Sequence, residues 1–313
     1  MKRPDDGILL VDKEEGETSH GVVKKVRSAL RQGKRYKVGH AGTLDPFATG
    51  LLVVLLGQGT KLSRFIMAGE KEYLATLELG VETDTLDPTG TVTAIRDVPE
   101  LSPGHIRETA RRHEGTIRQT PPVYSAVKYQ GSRAYALARK GLPVELKERT
   151  VMIYSISIVS VDLPDITMRI RCAGGTYIRS LAADLAKDLG SVGRLKTLRR
   201  LKSGPFDVAD AISSGDILSE SLVSILEKGI SLRNALPEMG EIEVNAMLAE
   251  KVRQGYQPAW DELAQAINDQ ERFIKLISGD KLLAIAKKDD GEGGHGKVKF
   301  ERVFISSKLK AQS

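Results

Sequence analysis

Val38 to Gly57, VGHAGTLDPFATGLLVVLLG, gathers residue types that could do chemistry: an imidazole at His40, a carboxylate at Asp45, and an apolar block, Leu51 to Leu56, beside them. Gly39 and Gly42 open backbone angles closed to other residues. Pro46 fixes its own φ and pushes Asp45 out of the helical region. Asp45 is therefore expected on a stiffened loop next to a buried strand, where a rigid scaffold presents working groups. A carboxylate held there is a candidate nucleophile. The alternative is a turn residue bonding its own backbone. A second Asp-Pro pair, Asp87 and Pro88, shows that the dipeptide does not decide between them.

The elements that must carry this loop are read from periodicity. Gly7 to Val11 is a first strand, and Thr18 with Ser19 caps a helix through Leu30 whose Val22, Val23, Val26 and Leu30 form an apolar stripe. Leu51 to Leu56 is a strand of continuous apolar character. GQGTKLSRF, from Gly57, has neither phosphate-loop spacing and reads as a turn before a short helix. Lys71 to Leu79 alternates Tyr73, Ala75, Leu77 and Leu79 with mostly polar residues, the pattern of a half-buried strand. Thr83 to Gly90 is a turn on which Asp87 has no reason to face Asp45, and Ser102 and Pro103 open a helix that Gly115 stops. Thr120 to Gly141 reads as an alternating strand, a Gln-Gly turn and a basic helix. Val151 to Val161 and Ile166 to Cys172 are β-branched, alternating strands paired across a turn. Tyr177, Ile178 and Arg179 open a helix through Leu189, placing Arg179 at the wrong end of the helix dipole and calling for an acidic partner. Asp216 to Lys228 reads as helix. After Pro237 come a short strand and helix, Ile242 to Gly255, then strands over Arg272 to Lys287 and Lys297 to Phe304 around an acidic, Gly-rich loop.

At 313 residues the chain exceeds the size of one ordinary domain. Hydrophobic residues make up 41% and charged residues 28%, with no apolar run of membrane-spanning length and no secretory leader. A single cysteine, Cys172, excludes an internal disulfide and a cysteine-cluster metal site, in keeping with a reducing cytoplasm. The net charge is +6, concentrated in two acid-free runs: seven Lys or Arg in Lys24 to Lys37 and five in Arg194 to Lys202. Converging in space, they would form one electropositive groove for a polyanion.

The ordered series GHAGTLDP, KEY, YSAVKYQG, GGTYIR and LRRLKSGPF resembles the TruB family of tRNA pseudouridine synthases over about residues 5 to 235. The resemblance implies an α+β fold, a mixed, mainly antiparallel central sheet flanked by helices. It also implies a catalytic domain at 1–235 and a small β-rich, PUA-like RNA-binding domain at 236–313. It makes Asp45 the nucleophile, pairs Arg179 with it, and places Tyr73 against the target base, with a share in removing the ring proton. His40, Tyr177, Leu198 and Lys128 line the substrate site by the same mapping. The implied substrate is the T-stem loop of tRNA at uridine-55, handled by base flipping in a cytoplasmic monomer, with no cofactor and no metal. Burial beside a sheet favours a neutral carboxyl, and the Arg179 partner is expected to reverse that preference. Two other classes stay open: a non-catalytic tRNA-binding or RNA-folding protein, and a glycoside hydrolase, which needs a second acid near Asp45.

Overall fold

A strand buried on both faces reads as a continuous apolar run, whereas one with a solvated face alternates, and both kinds build the main sheet of this computed structural model. The structure describes residues 6–30, 37–258, 262–263, 273–289 and 297–304. In chain order the elements that matter are β1 (Gly7–Lys13), α1 (Ser19–Ala29), β2 (Val38–Ala41), β3 (Thr49–Leu56), α2 (Ser63–Ala68), β4 (Lys71–Leu79), β5 (Val81–Thr83) and β6 (Val92–Ile95). They continue with α3 (Pro103–Arg112), β7 (Gly115–Gln119), β8 (Lys128–Tyr129), β9 (Ser132–Arg133), α4 (Ala134–Ala138), β10 (Arg149–Asp162), β11 (Asp165–Cys172), α5 (Ile178–Asp188) and β12 (Gly193–Ser203).

The large sheet runs β1, β3, β12, β4, β11, β10, β7, with Ile212–Ser213 beyond β1 and β2 paired to β3. All neighbouring pairs are antiparallel except β3 with β12 and β1 with Ile212–Ser213. Leu52, Val54 and Leu56 of β3 pack into one core with Val22, Val23 and Val26 of α1 and Leu181, Ala182 and Leu185 of α5. Leu51, Val53 and Leu55 point the other way, into a second core with Ile8, Leu10, Ile66 and Phe206. That double burial accounts for the unbroken LLVVLL.

The second core also takes in Ile277, Leu282 and Ile285 from a separate four-stranded sheet, Glu241–Glu243, Ile274–Ser278, Lys281–Asp289 and Lys297–Val303, and Phe304 just after it. Arg64 of α2 lies over the rings of Phe65 and Phe273 and pairs with Glu301 at 2.5 Å, joining α2 to the smaller sheet. No helix among the described residues is long and apolar enough to cross a membrane.

Two local expectations change, and one strand is added. The 120–141 segment holds only the two-residue strands β8 and β9 before α4. Asp216 to Lys228 splits into a single turn, Asp216–Leu218, and a helix, Leu222–Glu227, because Ser221 takes an extended conformation and caps the second piece. Arg194 to Lys202, which no periodicity marks as a strand, is the body of β12 in the middle of the sheet. Register shifts between Leu195 and Thr197 and between Arg200 and Lys202 break its alternation. Each shift inserts a residue and resets which face follows, so Leu195, Leu198 and Arg200 are all buried.

Candidate active site

Asp45 stands on the loop between β2 and β3, held at nearly every neighbour. Ser19 Oγ, in the first turn of α1, both donates to the Leu44 carbonyl and accepts from the Leu44 amide at 2.9 Å. The Pro46 carbonyl accepts from the Gly16 amide at 2.8 Å and from Lys13 Nζ at 3.2 Å. Arg200 Nη2 donates to the Gly42 carbonyl at 3.1 Å and Arg200 Nε to Leu51 at 2.6 Å, tying both sides of the loop to β12. Leu44, Phe47 and Ala48 are buried on either side of the carboxylate. The chain around Asp45 is therefore fixed by core packing and by hydrogen bonds from three other elements.

Arg179, in the first turn of α5, uses its whole guanidinium. Nε lies 2.9 Å from Asp45 Oδ2, Nη1 2.7 Å from the Thr85 carbonyl and 3.3 Å from Asp87 Oδ2, and Nη2 2.9 Å from the Tyr124 carbonyl. One cation thus serves two carboxylates, and Asp87 belongs to the site, against the expectation that it faces elsewhere. The reason lies in its turn: Asp87 Oδ1 accepts from Thr85 Oγ1, the Thr89 amide and Thr89 Oγ1 at 2.6–2.9 Å, and its amide and carbonyl bond Thr83 Oγ1. These bonds fold the side chain inward. The two aspartates differ in access: the Asp45 side chain keeps 33% of its surface open, that of Asp87 only 5%. Asp45 is the carboxylate a substrate can reach, while Asp87 is saturated and sealed and cannot serve as the second acid of a hydrolase.

Burial dominates the Asp45 titration and lifts the carboxyl above the usual aspartate range; Arg179 pulls it down and Asp87 pushes it up. The expected reversal by Arg179 is therefore incomplete, because burial outweighs that cation and Asp87 adds a like charge. Lys13, buried beneath the loop, is pushed down to about 8 by the same loss of solvent, against the pull of Glu17 and Asp45.

Tyr73 is buried on β4, directly across from Arg200 of β12 and Ile170 of β11. Burial raises the phenol, against the pull of the Arg200 guanidinium, so Tyr73 is protonated at neutral pH. Leu198 is buried opposite Ala75 on the same pair of strands. His40, on β2, is half-buried; burial, then Arg200 and His20, hold it below the usual histidine value and hence neutral at pH 7. Its Nδ1 is buried without a partner among the described residues. Tyr177 precedes α5, half-buried, with its backbone bonded to Gln119. Lys128 stands exposed on β8, and among the described residues no hydrogen bond or ion pair joins it to Asp45.

Arg200 and Lys13 carry the loop, yet neither is legible as a site residue. Arg200 sits in one of the two acid-free basic runs, and the structure pairs the charges of that run. Arg194 pairs with Glu78 at 2.7 Å, Lys196 with Asp165 at 2.6 Å, Arg199 with Asp12 at 2.6 Å and Lys202 with Asp207 at 3.6 Å, while Arg200 is buried. Glu78 comes from the neighbouring β4, Asp165 and Asp12 from the strands beyond the neighbours of β12, and Asp207 from the hairpin that follows, so an acid-free stretch of sequence is a neutralised stretch of surface. In the other run Lys25 pairs with Glu17, and residues 31–36 lie outside the described residues, as does most of the Gly-rich loop at 290–296.

Residues 27–178 match the model of the TruB family pseudouridylate synthase N-terminal domain. The chain is 41% identical over 287 residues to the tRNA pseudouridine synthase B of Syntrophus aciditrophicus (strain SB), covering 90% of this chain and 91% of that protein. It is 38% identical over 300 residues to the protein of the same name from Clostridium kluyveri, covering 96% of this chain and 100% of that one. Among solved structures it resembles a chain of a Cbf5–Nop10–Gar1 complex, with a TM-score of 0.73 at 24% identity, over 96% of this chain and 85% of that chain. A second resemblance, TM-score 0.71 at 23% identity over 96% of this chain and 86% of that one, is to an H/ACA RNP bound to a substrate RNA containing 2′-deoxyuridine. At these identities the structural likeness speaks to the fold, and it agrees with the mixed α+β architecture above.

Proposed function

This chain belongs to the TruB family of pseudouridylate synthases, and we propose that it isomerises uridine-55 in the T loop of tRNA, with Asp45 as its nucleophile. The observation that carries the reading is the asymmetry around Arg179: one open carboxylate and one sealed carboxylate share a single cation. The reaction breaks the glycosidic bond, turns the uracil and joins the sugar to a ring carbon. It calls for an ionised nucleophile, a face to hold the freed base and exclusion of water. Asp45 supplies the first, with Arg179 favouring its charged form against burial. Tyr73 supplies the face, with Leu198 on the adjoining strand, and base–aromatic stacking contributes about 1–3 kcal/mol. We assign ring-proton removal to Tyr73, whose phenol must first ionise for that step; burial opposes the ionisation and the facing Arg200 guanidinium favours it.

A stacked uridine must leave its loop to reach Asp45, at a cost of a few kcal/mol. Neutral His40 and Tyr177 are assigned to receiving the flipped nucleotide, and Lys128 to an RNA phosphate. Residues 1–235 are read as the catalytic domain and 236–313 as a PUA-like RNA-binding domain, in a monomer that works in the cytoplasm without metal or cofactor. The site is tested by mapping pseudouridine in an unmodified tRNA transcript incubated with the protein. One modified residue, at the T-loop position, is expected; modification elsewhere, or only in the anticodon arm, contradicts the assignment.

The shared cation also sets a pH dependence. A nucleophilic carboxylate works ionised, so single-turnover activity falls as pH drops through the Asp45 pKa, and burial with Asp87 displaces that limb upward. Asp87→Asn removes the like charge and is expected to move the acid limb of the rate profile to lower pH. A limb that stays put, or moves up, would show that Asp87 does not act on Asp45 through its charge.

A further inference from the structure

Arg179 and Asp45 are brought together from different parts of the fold: Asp45 follows β2 near one side of the sheet, while Arg179 heads α5. Helix α5 has no side-chain cap at Tyr177, so something else must fix where its first turn begins. That turn is tied instead to the segment leaving β7. Gln119, the last residue of β7 and buried, accepts from the Tyr177 amide through Oε1 at 2.8 Å and donates through Nε2 to the Tyr177 carbonyl at 3.0 Å. The two bonds admit only one orientation of the carboxamide, since the oxygen must face the N–H and the nitrogen the C=O. Next along the segment, the Thr120 carbonyl accepts from Ser180 Oγ at 2.9 Å, and the Tyr124 carbonyl accepts from Arg179 Nη2 at 2.9 Å. Positions 177, 179 and 180 of one helix start are thus bonded to positions 119, 120 and 124 of one strap. The strap is closed at its far end by Tyr124 Oη, 3.1 Å from Asp84 Oδ2 on the turn that holds Asp87.

We infer that Gln119 is a positioning residue of the active site: its carboxamide clamps the Tyr177 peptide and sets the first turn of α5 at the place where Arg179 Nε meets Asp45. It touches neither substrate nor reacting atoms and acts through Arg179 and Tyr177. The inference rests on the proposed role of the Asp45–Arg179 pair.

The test compares wild type, Gln119→Leu and Gln119→Glu on an unmodified tRNA transcript, with urea unfolding, transcript binding and single-turnover rate against pH measured for each. Leucine removes both bonds; glutamate keeps the shape and can accept from the Tyr177 amide but cannot, when ionised, donate to the carbonyl. Misplacing a catalytic group by about 1 Å costs on the order of 100-fold in rate, so a fall of about 10- to 100-fold is expected, with binding little changed. Because a loosened Arg179 no longer holds the Asp45 carboxyl down, the acid limb should also move to higher pH. Folded variants with the wild-type rate and limb would overturn the inference, as would a rate lost only in proportion to unfolded protein. If the leucine variant does not fold, the glutamate variant carries the comparison. A wild type that forms no pseudouridine removes the functional reading itself, and an active wild type with unaffected Gln119 variants removes this inference alone.

Discussion

Arg179→Met is expected to lose about 3–5 kcal/mol of stability at neutral pH, because removing one partner leaves buried charge uncompensated. Methionine keeps most of the volume, so the loss comes from charge. Asp87, with 5% of its side chain exposed, and Asp45, close beside it, would face each other with no cation between them. The carbonyls of Thr85 and Tyr124 would lose their donors as well. The variant's carboxyls should respond by holding protons more tightly folded than unfolded. A folded-state pKa raised above the unfolded value means that the native state binds more protons, so stability falls as pH rises through that range. The deficit against wild type in urea unfolding should therefore widen from acid to neutral pH. Activity should fall by on the order of 100-fold or more, as when one preorganised electrostatic partner is removed. A variant as stable as wild type at neutral pH would show that the pair of aspartates is not held by this cation.

The second large effect is predicted at Gly50. Its φ is +99°, and a Cβ built there would lie 2.3 Å from the Arg200 carbonyl oxygen and 2.7 Å from the Arg200 amide nitrogen. Both are backbone atoms of a central strand, and neither can swing aside. Gly50→Ala combines overpacking, about 1–3 kcal/mol, with left-handed backbone strain, about 1–3 kcal/mol. The expected loss is thus about 2–6 kcal/mol. Any relief by shifting Arg200 would pull its guanidinium from Leu51 and Gly42 and so loosen the Asp45 loop. Gly16→Ala is the control: φ is +81°, and nothing lies within 4 Å of the added carbon. Urea midpoints of the two variants separate the clash from the strain. Equal losses would mean that the close approach of β3 to β12 is unimportant.

How much of this could be read in advance depended on the range of the interaction. The strand at Lys71–Leu79 was visible to the residue, since alternation there reports one buried and one solvated face. The cap at Thr18 and the stripe of α1 were visible for the same local reason. Asp45 and Arg179 stood out through the ordered motifs, and the misplaced charge at the head of α5 asked for an acid by simple electrostatics.

What stayed hidden was set by contacts between distant segments. The two bulges of β12 erase its period, so only the charge of this central strand was legible. Its charges then proved neutralised by Glu78, Asp165 and Asp12, which no local window contains, and by Asp207 of the following hairpin. Asp87 was dismissed because nothing local told which way its turn faced; three threonines bonded to that aspartate were the available signal. The balance at Asp45 was hidden for a related reason: burial outweighs Arg179, and Asp87 adds to it a like charge that the sequence did not place there.

The central claim is that Asp45 is the nucleophile and that recognition is separable from chemistry. Asp45→Asn tests it most directly, because the amide oxygen can still accept from Arg179 and one buried negative charge is removed, so fold and RNA surface should persist. Wild type and variant would be incubated with an unmodified tRNA transcript, and pseudouridine and bound transcript scored in the same samples. The account predicts that wild type forms pseudouridine, and that the variant binds with near wild-type affinity and forms none. A variant that binds and forms pseudouridine at a rate near wild type would contradict it, and the catalytic carboxylate would have to be sought elsewhere in the molecule.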